Sequence, residues 1–323
     1  MNSPALPVTL VALLLLAALL GLAHGEVWLN PLGSGAEPWR QTVLWEIRLP
    51  RVLLALLVGA VLGMSGAALQ GLLRNPLADP AIVGVSACAA FGAVVVLYTG
   101  LGALAWFALP VGGMVGASLS VILVFLLTGA RSSLFSLILA GMAVNAFVGA
   151  LIALVLNLAS NPFAMSEMLY WLLGSFANRS LQDVAIAAPF MVLGCSALLV
   201  TGRYLDALSL GEDTAASLGF HSARWRWLVV GGVACAVGAA VSVSGNIGFV
   251  GLVVPHLLRP FVGYQPQRLL WTSALGGALL LVLADVLVQA IGGRVELKLG
   301  VITALIGGPF FLWIILRTRS NQW

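Results

Sequence analysis

Apolar residues in this chain come in long runs rather than in alternation. Stretches able to cross about 30 Å of hydrocarbon occupy 5–23, 51–73, 81–99, 104–128, 134–158, 184–201, 227–244, 270–291 and 300–316, and short polar segments join them. A tenth run, 247–263, is interrupted where IGFVGLVV meets Pro255, His256, Arg259 and Pro260, which predicts a short helix or one that reaches the interface early. Runs of this length predict helices and not a barrel, because backbone groups in lipid must find their partners inside the protein. The first run has no Lys or Arg among Met1 to Thr9 and exceeds the apolar core of a signal peptide, so it is expected to be a retained span.

Two polar interruptions stand out. SEMLYWLLGSF, 166–176, is too short to span and is expected to lie at the outer mouth as a flap. RYLDALSLGEDTAASLGFHSARWR, 203–226, places Leu208 and Leu210 before Gly211, then Glu212 and Asp213 open TAASL, which stops at Gly219. That order predicts two short helices around a glycine, a knob of a shape to enter a groove on a cytoplasmic partner.

Composition sharpens the assignment. Of 323 residues 61% are hydrophobic and 8% charged, with a mean hydropathy of +1.09, whereas soluble domains carry about 25% charged residues. The solvent is lipid, and residues 1–323 are expected to form a single all-α transmembrane domain of about ten helices. Glycine occurs 37 times, with small residues at helical spacing at Gly59, Gly63 and Gly66 and at Gly112, Gly116 and Ser120. Such spacing lets helix backbones approach closely.

Charge excludes several functions. Fifteen basic residues against 11 acidic give a net +4, and they are scattered singly, unlike a nucleic-acid footprint. Lys298, the one lysine, precedes Leu299, so no phosphate-binding loop exists. Any ATP and magnesium must therefore be bound by another polypeptide, and no cofactor is expected in this chain. Cys88, Cys195 and Cys235 read as buried thiols, and His24, His221 and His256 are too dispersed for a metal site. No catalytic constellation is present. With both termini in the cytoplasm, nine of the 15 basic residues fall inside, in line with the positive-inside rule. Arg48 and Arg51, in RLPR, then sit at the outer end of the second run, either as snorkelling anchors or as a basic rim for an acidic partner. Asp285, deep in an apolar run, is either an ion-coupling carboxylate or a hydrogen-bonding partner of a neighbouring helix.

Six ordered blocks resemble the FecCD family, the permeases of type II ATP-driven importers of ferric siderophores, haem and vitamin B12. They are RLPRVLLALLVGAVLGMSGAALQGLLRNPLADPAIVGVS (48–86), LILAGMAVN (137–145), YWLLGSF (170–176), LSLGEDTAASLG (208–219), SGNIGFVGLVVPHLLR (244–259), and ADVLVQ with LGVITALIGGPFFLWII (284–289 and 299–315). The resemblance implies a ten-helix protomer in a bacterial inner membrane, a homodimer enclosing the path, two cytoplasmic ATPase subunits and a periplasmic binding protein. It implies docking of that protein on Arg48 and Arg51. Gln289 stands where the family commonly has a third arginine, with Arg294 five residues on as its substitute. It further implies a cytoplasmic gate at Asn75, Leu77, Leu134 and Phe135, ATPase coupling through Leu210, Gly211, Glu212, Asp213 and Ala216, and a path lined by Met142, Asn145 and Gly149. Asn75 and Pro76 also read as an ordinary turn. The function implied is import of an iron chelate, haem or a ferric siderophore, by alternating access. A vitamin B12 permease, an ion-coupled transporter using Asp285 and an accessory membrane scaffold are the alternatives.

Overall fold

The computed structural model describes residues 5–25, 27–31, 37–129, 133–291 and 297–320. The elements are helical throughout the described residues. In chain order they are α1 (Ala5–Ala23), α2 (Pro38–Thr42) running through a π-helical turn (Val43–Arg48) into α3 (Leu49–Leu72), a 3-10 turn (Pro80–Val83), α4 (Val85–Thr99), α5 (Leu101–Leu104), α6 (Ala108–Thr128) and α7 (Leu134–Asn157). Then follow α8 (Pro162–Leu172), α9 (Leu181–Val200), α10 (Gly202–Ser209), α11 (Glu212–Ser217), α12 (Ser222–Ser244), α13 (Val250–Leu258) with a 3-10 turn (Arg259–Val262), α14 (Pro266–Ile291) and α15 (Leu299–Ser320). Among the described residues seven helices are long and apolar enough to span a bilayer. The apolar segments Val85–Thr99, Val250–Val262 and Leu299–Ile314 are shorter. Together they match the ten runs expected, and the interrupted tenth is indeed the short α13.

Two spans form the centre. The apolar windows of α3 and α12 are 78% buried, against 17% for α1 and 22% for α7, so the other spans ring this pair. Small residues permit the contact. A methyl group added at Gly59 or Gly63 of α3 would overlap backbone carbonyls of Gly277 or Ser273 on α14, and one at Gly66 would overlap the Gly251 carbonyl of α13. Gly116 of α6 meets the Cys88 carbonyl of α4 in the same way, and the Ser120 hydroxyl donates to the Val83 carbonyl at 3.2 Å. Both glycine patterns of the sequence are thus packing seams.

Chain direction sorts the connections to two ends. The knob α10–α11, the turn after α3 and the start of α7 share one end; α2, α8 and the 244–249 turn share the other. At the latter, Ser175 N donates to the Ser244 carbonyl at 2.8 Å and Gly300 N to the Gly174 carbonyl at 3.3 Å. Gly174 and Gly245 both hold positive φ there, at 72° and 71°, which glycine adopts freely. The C-terminal end of α8 is therefore tied to α12 and α15. The segment 166–176 thus lies at the end expected of it, with its C-terminal part anchored to the bundle.

Candidate functional site: the knob, the path face and the buried arginines

The knob is built by local rules. Gly211, at φ 121°, separates α10 from α11 in a backbone conformation that side chains avoid. Glu212 and Asp213 occupy the first turn of α11, where carboxylates favour the positive end of the helix dipole. At the other end, Phe220 N bonds the Ala215 carbonyl at 3.1 Å and Gly219 N the Ala216 carbonyl at 2.9 Å, the paired bonds that close a helix on a left-handed glycine. Leu210 and Leu218 are exposed, at 71% and 61%, as are Glu212, Asp213 and Ala216, with Gly211 half-buried. The five residues expected to couple thus lie together on one small surface carrying apolar and acidic groups.

Beneath this surface the α10 half of the knob packs against the start of α12. Tyr204 of α10 is buried, stacks on Trp225 with centroids 5.8 Å apart and meets Phe220 at 5.9 Å. Its hydroxyl donates to the Ser222 carbonyl at 3.5 Å. Burial pushes the Tyr204 phenol up, while neighbouring Arg226 pulls it back. Asp206 of α10 accepts from Gln267 N at 2.8 Å and from Gln265 Nε2 at 3.1 Å, which ties the knob to the start of α14.

The α7 residues expected along the path share an uncovered face. Met142, Asn145 and Gly149 are all exposed, and nothing approaches a Cβ placed at Gly149. At the start of α7, Ser133 caps the helix by accepting from Ser136 N at 3.0 Å. Phe135 is 74% exposed and Leu134 half-buried. On the turn after α3, the Asn75 side-chain oxygen accepts from Leu77 N at 2.9 Å, so the local-turn reading of Asn75 and Pro76 is realised. Leu77 is half-buried. Asp79 starts the next turn by accepting from Ala81 N at 3.0 Å. Burial pushes the Asp79 carboxyl up, and that hydrogen bond opposes the shift.

The basic rim requires correction. Arg48 is only 6% exposed. Its guanidinium donates to the Leu22 carbonyl at 2.9 Å, to the Ala23 carbonyl at 2.7 Å and to the Val27 carbonyl. It closes the last turn of α1, whose carbonyls have no helical partners, and the π-helical turn ends on it. Arg51 grips Asp285 of α14 with Nε to Oδ2 at 2.8 Å and Nη2 to Oδ1 at 3.0 Å. Gln289 Nε2 adds a bond to Asp285 at 2.9 Å. Both arginines join helices within the chain, and neither is presented as a free cationic rim. Arg294 lies outside the described residues. Asp285 is thereby the helix-bridging carboxylate that the quieter alternative required.

One cluster escaped the sequence reading. Pro255 lacks the N–H that would serve the Gly251 carbonyl four residues earlier. Gln70 of α3, buried, fills the gap by donating to the Gly251 and Leu252 carbonyls at 3.3 and 3.4 Å. Arg259 in turn donates to Gln70 Oε1 at 2.5 Å. A glutamine in one apolar run and a proline in another were the available signals. Among the described residues no group of three or more His, Cys, Asp or Glu is gathered for a metal.

A family model described as the FecCD transport family matches residues 10–317. The chain belongs to that family. Similar proteins include the uncharacterized ABC transporter permease YvrB of Bacillus subtilis, 43% identical over 88% of this chain and 82% of that one. The hemin transport system permease HmuU of Yersinia pestis is 40% identical over 86% and 85%. The vitamin B12 import permease BtuC of Vibrio cholerae is 38% identical over 97% and 94%. A solved metal-chelate type ABC transporter in an inward-facing conformation aligns with a TM-score of 0.89 and 34% identity, covering 98% of this chain and all of the other. This FecCD chain is an all-helical, multi-pass inner-membrane permease of a type II ABC importer.

Proposed function

We propose that this permease works as a homodimer with two ATPase subunits and a binding protein on the outer side, and that it imports an iron chelate, haem or a ferric siderophore, by alternating access. The observation that carries the ATPase coupling is the exposed knob, where Leu210 and Leu218 flank Glu212 and Asp213 at the end of the bundle. In this reading both termini and the knob face the cytoplasm. Met142, Asn145 and Gly149 line the path along the dimer axis, and the amide of Asn145 supports that role, since a polar side chain on an uncovered span face is costly in lipid. Leu77 and Phe135, with Asn75 and Leu134 beside them, form the inner seal once a second copy brings its own set across the axis. The delivering protein contacts outer groups other than the enclosed Arg48 guanidinium.

Vitamin B12 is the second reading of the cargo, favoured by the relative BtuC, which aligns over 97% of this chain. Reconstitution with the cognate ATPase and binding protein in vesicles tests both. Haemin or cyanocobalamin should accumulate only while ATP is hydrolysed, and the cargo that does so identifies the substrate. Uptake that continues undiminished after the ATPase is removed would overturn the reading.

A further inference from the structure

Arg226 is the fifth residue of α12 and is only 7% exposed. Two forces oppose a cation there. Burial removes its hydration, and the first turns of a helix repel positive charge. Its Nε finds no hydrogen-bond partner among the described residues. The compensating charge is Glu212 of the knob, whose Oε1 stands 3.9 Å from Arg226 Nη2. That spacing is within ion-pair range yet beyond hydrogen-bond reach. The Glu212 side chain is 46% exposed while its partner is 8% exposed, so one end of the pair is fixed in the bundle and the other lies on the knob surface.

Tyr204, which also feels Arg226, completes the arrangement, because it belongs to α10 and Glu212 to α11. One guanidinium therefore addresses both halves of the knob from the central span α12. We propose that Arg226 is a positioning residue for ATPase coupling: it orients Glu212 and links the knob to α12 through an ion pair left loose in the undocked protein. When an ATPase covers the knob, water around Glu212 is displaced and the pair strengthens as the local dielectric falls. Docking thereby tightens the link between knob and span. This rests on the reading of the knob as the ATPase contact.

A double-mutant cycle tests it. Full-length permease in nanodiscs is titrated with its cognate ATPase, and ATP hydrolysis reports the apparent affinity. E212Q and R226Q should each weaken it about tenfold, and the double variant should be no weaker than either single one. R226K should recover most of the affinity. Losses that multiply to about a hundredfold would mean that Arg226 does not act through Glu212, and would overturn the proposal. Should R226Q fail to fold, the cycle runs with R226K, which should cost about threefold beside the native Glu212 and nothing when E212Q is already present; an equal cost in both backgrounds overturns the proposal. If the wild type stimulates no ATPase, the coupled-permease reading itself fails, an outcome distinct from an additive cycle.

Discussion

The ion pair of Arg51 with Asp285 is where single side chains decide between mechanisms. Asp285 has a side-chain exposure of 4% and Arg51 of 16%, so removing one partner strands the other in a poorly hydrated site. Such a loss costs about 3–5 kcal/mol, whereas an apolar replacement of both partners is far milder. Asp285→Asn should therefore lower the unfolding midpoint in detergent clearly, and the double variant Asp285→Leu with Arg51→Leu should regain much of it. If the carboxylate only bridges helices, folded Asp285→Asn protein keeps ATP-driven uptake. Uptake abolished in well-folded protein would instead revive ion coupling. None of this pairing was legible in the sequence: 234 positions separate the partners. The sequence showed a basic pair at the outer end of one run and a carboxylate deep in another, with nothing to join them, and the same limit hid the closure of α1 by Arg48.

Among the elements, those defined by local chemistry could be read in advance. Gly211 and Gly219 frame α11 because each holds a positive φ, 121° and 88°, and the two acidic residues mark its start. The knob therefore appeared in the sequence as two helices around a glycine. By contrast, the interrupted α13 showed only its prolines, because its repair comes from α3. Gln70→Leu should leave the Gly251 carbonyl unsatisfied and cost about 1–3 kcal/mol, measured as a lowered unfolding midpoint. Adding Pro255→Ala supplies an N–H to that carbonyl and should shrink the penalty of Gln70→Leu; a full penalty in both backgrounds would show that Gln70 matters only through Arg259. At the knob, Gly211→Ala forces a side chain into a disfavoured conformation, a strain of about 1–3 kcal/mol. It should weaken ATPase binding in pull-downs more than its small lowering of the thermal midpoint accounts for, because the bundle's seams lie elsewhere and the knob alone is distorted.

At the level of the whole molecule, the packing is lopsided. α3 and α12 are enclosed, while α7 leaves Met142, Asn145 and Gly149 uncovered, and α15 exposes Leu305, Leu312 and Trp313. A lone protomer thus has a span face bearing an amide, which lipid satisfies poorly. In the proposed homodimer, a second copy with an aqueous path between would resolve that conflict. Single cysteines at 142, 145 and 149, in a background with Cys88, Cys195 and Cys235 replaced, test this with a membrane-impermeant maleimide. Residue 145 should react from the knob side in one nucleotide state and from the opposite side in another, while a cysteine at Val148, which is buried in the core, stays protected throughout. Cross-links between copies should also form through residue 145 or 149 in intact membranes. If residue 145 resists the reagent in every nucleotide state and forms no cross-link, the uncovered face is turned to lipid, and the path lies elsewhere in the bundle.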